Sequence, residues 1–191
     1  MRIFVERKLL HCLHLAMLFF LLVFSGTAFA EMSHEQVQQQ IISRLYNGAG
    51  GHMNTDYGPY TGKYAGSFHQ GFDFAIGFGT PVYSILSGEV TRCSPDKNGN
   101  TYICIYNKEA DLTVVYMHTD KILVERPQKV SAGQQLAVEA SRGKNSTGPH
   151  THVEFREGYV TSAATSIGST AANPRNPDPY VLWNNKIQPL L

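Results

Sequence analysis

Gly148-Pro149-His150-Thr151-His152-Val153-Glu154-Phe155 decides how the rest of the chain is read. The Gly-Pro pair closes a polar loop, and an alternating run follows it. Successive side chains of a β-strand point to opposite faces. His150, His152 and Glu154 therefore share one face, and Thr151, Val153 and Phe155 the other. The second set suits a core, and the first lines a surface or a cleft. Two imidazoles on one strand face form a metal-site pattern, because neutral imidazole is the commonest nitrogen ligand of zinc. An exposed strand that carries two histidines is the competing reading, and ligands upstream decide between them.

Short β runs of the same kind fill the chain before this stretch. They are expected at residues 72–76, 82–86, 89–93, 101–106, 112–117, 121–124 and 135–138, then 151–155, with Gly, Pro, Asn and Ser punctuating them. No long amphipathic helix interrupts the series. The expected fold is all-β, an antiparallel β-sandwich of two sheets with a short N-terminal helix. That helix covers residues 31–47, where Val37, Ile41 and Leu45 recur at spacing four with Ile42 alongside. Ser33 is its expected N-cap, and Gly48 and Gly50-Gly51 end it. Two roles are open to it, a docked part of the domain or a leader segment that covers a site. Residues 54–67 read as a loop whose Tyr57, Pro59, Tyr60 and Tyr64 wall a cleft or cover a core edge. After Ser162 the chain is small, polar and Pro-rich, an extended wrap whose Tyr180 and Trp183 dock on the domain. The expected divisions are 1–30, 31–55 (helix and linker), 56–183 (the folded domain) and 184–191 (tail).

Residues 1–30 read as an export signal, with Arg2, Arg7 and Lys8 at the start, an apolar stretch, and Ala28-Phe29-Ala30 as a cleavage site. The uninterrupted apolar part, 15–24, is short for a bilayer span. No Cys stands at the cleavage point, so a lipoprotein is not indicated. Without this segment the chain of 191 residues keeps 13 basic and 14 acidic residues, a net charge of −1. That balance lacks the basic footprint of a nucleic-acid binder. Cys12 leaves with the signal, and Cys93 and Cys104 remain. Export and an even count point to a disulfide between them. A two-residue turn at Asn98-Gly99 would set Cys93 opposite Cys104, whereas Pro95 inside the first arm cannot donate to the ladder, which leaves a wider loop equally open. Closing so short a loop contributes about 2–3 kcal/mol where the geometry is unstrained.

A second polar alternation lies at Phe68-His69-Gln70-Gly71-Phe72-Asp73-Phe74. Read as a strand, it puts His69, Gly71 and Asp73 on one face, with Gly71 leaving room for an ion between the two ligands. Asp73 between two phenylalanines calls for a partner or a metal. His69, Asp73 and His152 together make two imidazoles and a carboxylate, which leaves the fourth tetrahedral position for water, as in catalytic zinc sites. His150 shares the strand face of His152, and His118 closes the run 113–118. Four of the six histidines outside the signal thus stand at candidate positions.

Residues from about 57 to 180 resemble the M23 family of zinc metallopeptidases, the LytM/lysostaphin-like peptidoglycan endopeptidases. The HxGxD element is His69-Gln70-Gly71-Phe72-Asp73, the HxH element is His150-Thr151-His152, and Tyr116-Met117-His118 matches YxH. Asn145-Ser146-Thr147-Gly148-Pro149 looks like the family's lead-in to HxH, and Thr119 stands where an aliphatic residue is usual. The resemblance implies that His69, Asp73 and His152 bind one zinc per chain, with Glu154 outside the ligand set. It implies that His118 and His150 are the catalytic pair, their roles undivided. The implied activity is hydrolysis of stem or cross-bridge peptide bonds in peptidoglycan. Family members differ between glycine bridges and D-amino-acid cross-links, and the resemblance does not choose between them; D-Ala cross-links are the expectation here. The mature form is then a periplasmic or secreted monomer without a membrane span. The alternative is a non-catalytic LytM-type activator of cell-wall amidases, although such domains typically lack the ligands that are complete here. A lipoyl-type carrier shares the strand pattern at 80–90 and 130–136, yet no modifiable Lys stands at a hairpin tip.

Overall fold

The computed structural model describes residues 29–191. Residues 1–28, which hold nearly all of the expected export signal, lie outside the described residues. Helix α1 (His34–Leu45) comes first, followed by β1 (His52–Thr55), β2 (Gly58–Pro59), β3 (Phe68–His69) and β4 (Phe72–Ala75). Next are β5 (Pro81–Tyr83), β6 (Gly88–Pro95), β7 (Thr101–Asn107), β8 (Leu112–Met117) and β9 (Lys129–Val130). The series ends with β10 (Gln135–Val138), β11 (Thr151–Glu157) and helix α2 (Pro179–Leu182). Seven strands form one sheet in the order β1-β4-β11-β8-β7-β6-β9, with β10-β5 and β2-β3 as separate pairs. Every pairing is antiparallel. Among the described residues no helix is long and apolar enough to cross a membrane.

β8 is buried at every residue. A strand with no polar alternation must be covered on both faces, and β8 lies at the centre of the sheet. Alternation divides its neighbours between the faces. Ile103, Ile105, Val114, Tyr116, Val153 and Phe155 join the main core, while Cys104, Val115 and Met117 join a smaller cluster with Val160. The main core is closed by α1, by β5 and β10, and by the C-terminal wrap through Tyr180, Leu182, Trp183 and Ile187. Val37, Ile41, Ile42 and Leu45 of α1 are all buried there. Of its two open roles, α1 thus takes the docked one. Ser33 caps it in a reciprocal box with Gln36, its hydroxyl 3.3 Å from the Gln36 amide.

Three local expectations are corrected. Residues 121–124 form no strand: Lys121 takes a left-handed φ of 47°, the preceding Asp120 bridges Val138, and within the segment Leu123 N bonds to Leu136 O. Residues 54–67 are more ordered than a loop, holding the end of β1, all of β2 and a 3-10 turn at Gly62–Tyr64. The disulfide expected between Cys93 and Cys104 is absent, and both are free thiols. Cys93 pairs with Ile103, and Cys104 with Arg92. The wider turn decides this. Asp96 accepts from the backbone of Asn98 (2.8 Å) and Asn100 (3.0 Å) and from the Asn100 side chain (2.9 Å), with Gly99 at φ 76°. Relative to a two-residue turn the register moves by one, and a one-residue slip sends side chains to opposite faces. Cys93 packs on the main core and Cys104 on the second cluster.

Candidate metal centre and cleft

Directly opposed residues of antiparallel neighbours share a face. One such row runs Thr55, Asp73, His152, Met117, Tyr102 across β1, β4, β11, β8 and β7. All five line one cleft of about 700 Å³ on the face away from the main core. The sheet thereby puts a carboxylate and an imidazole side by side, with a thioether and a phenol beyond them. His69 comes to this floor from β3, in a different sheet. The segment 68–74 is not one strand, because the chain turns between His69 and Phe72. Gly71 serves that corner rather than making room for an ion, which corrects the sequence reading. A Cβ there would lie 2.3 Å from the Val153 carbonyl oxygen and 2.9 Å from Glu154 Cγ.

Three ligand atoms meet on the cleft floor. His69 Nε2 is 3.0 Å from His152 Nδ1 and 3.2 Å from Asp73 Oδ1, and His152 Nδ1 is 2.9 Å from Asp73 Oδ1. These residues form the one group of metal-ligating side chains found among the described residues. The far nitrogens settle the tautomers. His69 Nδ1 donates to the Asp56 carbonyl at 2.8 Å, and His152 Nε2 donates to the fully buried Glu154 carboxylate at 3.0 Å. A carbonyl or carboxylate oxygen only accepts. In the neutral rings the lone pairs of His69 Nε2 and His152 Nδ1 therefore point at each other and at Asp73 Oδ1. Such an arrangement is repulsive until a cation enters it. Tetrahedral zinc with N and O ligands spaces them by about 3.3 Å, so the residues present fit such an ion.

Without a metal the cation is a proton. Burial alone would lower the His152 pKa, but its hydrogen bonds to Asp73 and Glu154 outweigh burial and bring it up to about 10. Burial likewise pushes Asp73 upward, and the bonds from His152 and His69 overcome this and hold it well below the usual carboxylate range.

His118 and His150 stand beside this cluster, their rings 4.7 Å apart. His118 follows the last residue of β8 and takes a left-handed φ of 63°. Such a backbone costs a non-glycine residue about 1–2 kcal/mol and is concentrated at functional positions. His118 Nδ1 donates to the Arg142 carbonyl at 2.6 Å, and His150 Nδ1 donates to the Gly148 carbonyl at 2.9 Å. Both rings therefore keep Nε2 free of a proton when neutral. His150 Nε2 is 3.8 Å from Asp73 Oδ1. Burial, then the neighbouring His150 and His152, lower the His118 pKa to about 4, so His118 is neutral at physiological pH. The aromatic stretch before His69 walls the cleft, with the Tyr60 ring 4.9 Å from that of His69.

All five candidate residues thus come together, and Cys93 and Cys104 lie outside the cleft. The reading of residues missed the groups that set the tautomers: Glu154 and the carbonyls of Asp56, Arg142 and Gly148. The one signal available was the shared face of His152 and Glu154, two residues apart. The carbonyls leave no mark in a sequence.

Fold and floor together define an antiparallel β protein with a His-Asp-His metal-ligating cluster in an open cleft. The chain belongs to peptidase family M23, which matches it over residues 67–173. Peptidoglycan DD-endopeptidase ShyA of Vibrio cholerae is 40% identical over 87 residues, 46% of this chain and 20% of ShyA. Lysostaphin of Staphylococcus simulans is 32% identical over 129 residues, 67% of this chain and 24% of lysostaphin. Among solved structures, the catalytic domain of that lysostaphin superposes with a TM-score of 0.54 at 30% identity, covering 63% of this chain and 88% of that domain. The chain spans about a fifth to a quarter of the length of these full-length relatives.

Proposed function

We propose that this peptidase is a zinc metalloendopeptidase that hydrolyses peptide bonds of bacterial peptidoglycan, and that residues 1–30 direct its export to the periplasm or beyond. The observation that carries the reading is the convergence of two imidazole lone pairs and the Asp73 carboxylate within 3.2 Å, next to two further histidines. His69 Nε2, Asp73 Oδ1 and His152 Nδ1 would hold one zinc. When bound, zinc polarises a carbonyl and lowers the pKa of a water nucleophile towards neutrality. His118 and His150 then handle the protons. Each has Nδ1 committed to a backbone carbonyl and Nε2 directed to the cleft, so one takes the proton of the attacking water. The other would carry a second proton, as an imidazolium, so that its Nε2–H faces the developing oxyanion or the leaving amine. Glu154 and the Asp56 carbonyl keep both ligand rings in the orientation this requires. The names of ShyA and ShyB, both peptidoglycan DD-endopeptidases, favour cross-links between D-amino acids over glycine bridges.

The test is to incubate residues 31–191 with purified wall peptides of both kinds and identify the products by mass spectrometry. We expect one zinc per chain and cleavage of D-Ala cross-links. A chelator or His152→Ala should abolish cleavage, and added zinc should restore it only in the chelated wild type. Full activity in His152→Ala protein would sink the ligand assignment. Purified protein without zinc that still stimulates an amidase would establish the non-catalytic alternative instead.

A further inference from the structure

The outer partners of the two ligand imidazoles are themselves held from far along the chain. Asn176 is 1% exposed. Its Nδ2 donates to Glu154 Oε2 at 3.0 Å and to the Gln70 carbonyl at 2.9 Å. Its Oδ1 accepts from Arg156 Nε at 2.6 Å. The other oxygen of Glu154 takes the Nε2 proton of His152, and Gln70 directly follows His69. One buried amide therefore touches the carboxylate behind one ligand and the backbone beside the other. Tyr180 makes a parallel link. Its hydroxyl donates to Asp56 Oδ1 at 2.8 Å, and the carbonyl of the same Asp56 holds His69 Nδ1. Tyr57 joins the two links, its hydroxyl donating to the Asn176 carbonyl at 2.8 Å and its amide to Asp56 Oδ1 at 2.7 Å.

We propose that Asn176 and Tyr180 are positioning residues of the metal site, through which the C-terminal wrap sets the ring orientation of His152 and His69 and hence the affinity for the ion. The inference rests on the reading of His69, Asp73 and His152 as zinc ligands. Both residues lie beyond residues 67–173, the part that matches the family. The physical reason is that an imidazole turns about its χ2 torsion at little cost. Its donor atom stays on the ion only while the opposite nitrogen is bonded to a fixed acceptor. Glu154 is fixed by Asn176 and by the Ala164 amide at 2.9 Å. The Asp56 backbone is fixed by Tyr180 and Tyr57. Removing the partner of a ligating histidine costs about 10–100-fold in metal affinity, and loosening that partner should cost part of it.

The experiment measures zinc dissociation constants by competition with a chromophoric chelator, alongside the melting temperature of the metal-free proteins. Asn176→Leu is expected to weaken zinc about tenfold or more, and Tyr180→Phe, which keeps the ring and removes the hydroxyl, about three- to tenfold. Leu182→Ala is the control, since Leu182 is buried in the same wrap and no side-chain bond ties it to the ligands. It should lower the melting temperature with zinc affinity within twofold of wild type. The visible spectrum of the cobalt-substituted proteins should change in the first two variants and not in the control. Wild-type affinity in both variants overturns the inference, as does an equal loss in Leu182→Ala. Should Asn176→Leu fail to fold, Tyr180→Phe decides alone. Wild-type protein that binds no zinc overturns the ligand reading, and this inference with it.

Discussion

His152 is where the chemistry of the site is most constrained. Its Nε2 faces a buried carboxylate and its Nδ1 a second one, so the metal-free ring holds a proton up to about pH 10. A metal must displace that proton, because only the neutral ring ligates. Zinc binding at pH 7–8 should therefore release about one proton, measurable by calorimetry in buffers of different ionisation enthalpy. The sign follows: below the His152 pKa the proton competes, so apparent zinc affinity should rise by about tenfold per pH unit between about pH 7 and 9. No proton release would show that His152 is already neutral. Glu154→Gln keeps an acceptor for Nε2 and removes the charge. It should weaken zinc by about tenfold, read by the same chelator competition, and leave His118 and His150 untouched because neither contacts Glu154.

Two elements carry tests of their own. The corner between β3 and β4 presses Gly71 onto the β11 backbone, with no room for a Cβ. Gly71→Ala should destabilise the protein by about 2 kcal/mol or more through overpacking, seen as a lower denaturant midpoint, and should shift His69 away from Asp73. The β6–β7 hairpin makes the opposite kind of statement. Its Asp96-anchored turn keeps Cys93 and Cys104 on different faces. Both thiols should react with a thiol reagent once the protein is unfolded, and a reductant should leave the melting temperature unchanged. A drop on reduction would mean that the register shifts to allow a bridge.

At the scale of the whole molecule, α1 and the C-terminal wrap are structural parts of the domain. The four buried side chains of α1 are Val37, Ile41, Ile42 and Leu45. Their burial contributes roughly 6 kcal/mol or more by transfer alone, comparable with the stability of an entire domain. Deleting residues 31–47 should therefore unfold the protein or lower its melting temperature sharply. A truncated protein with full stability and raised specific activity would instead identify α1 as an inhibitory leader. Trp183 is fully buried, with its ring 5.9 Å from that of Phe155 on β11. Trp183→Ala should cost about 3–5 kcal/mol in denaturant unfolding.

The sequence by itself determined the helix with its Ser33 cap, the five residues His69, Asp73, His118, His150 and His152, and most of the strand series, the exception being the expected strand at 121–124. Those were legible because side-chain alternation and residue chemistry are local. The tertiary structure alone decided how the five meet. The row Thr55-Asp73-His152-Met117-Tyr102 exists only through the register of neighbouring strands, which no local pattern specifies. The same holds for the cysteines, whose expected bridge failed on a one-residue difference in turn length. It holds most for the ring tautomers. These depend on the backbone carbonyls of Asp56, Arg142 and Gly148 and on Glu154, and a carbonyl has no residue-specific signature in sequence. Two histidines that read alike at 150 and 152 are divided for that physical reason: His152 offers Nδ1 because Glu154 occupies its Nε2, and His150 offers Nε2 because the Gly148 carbonyl occupies its Nδ1.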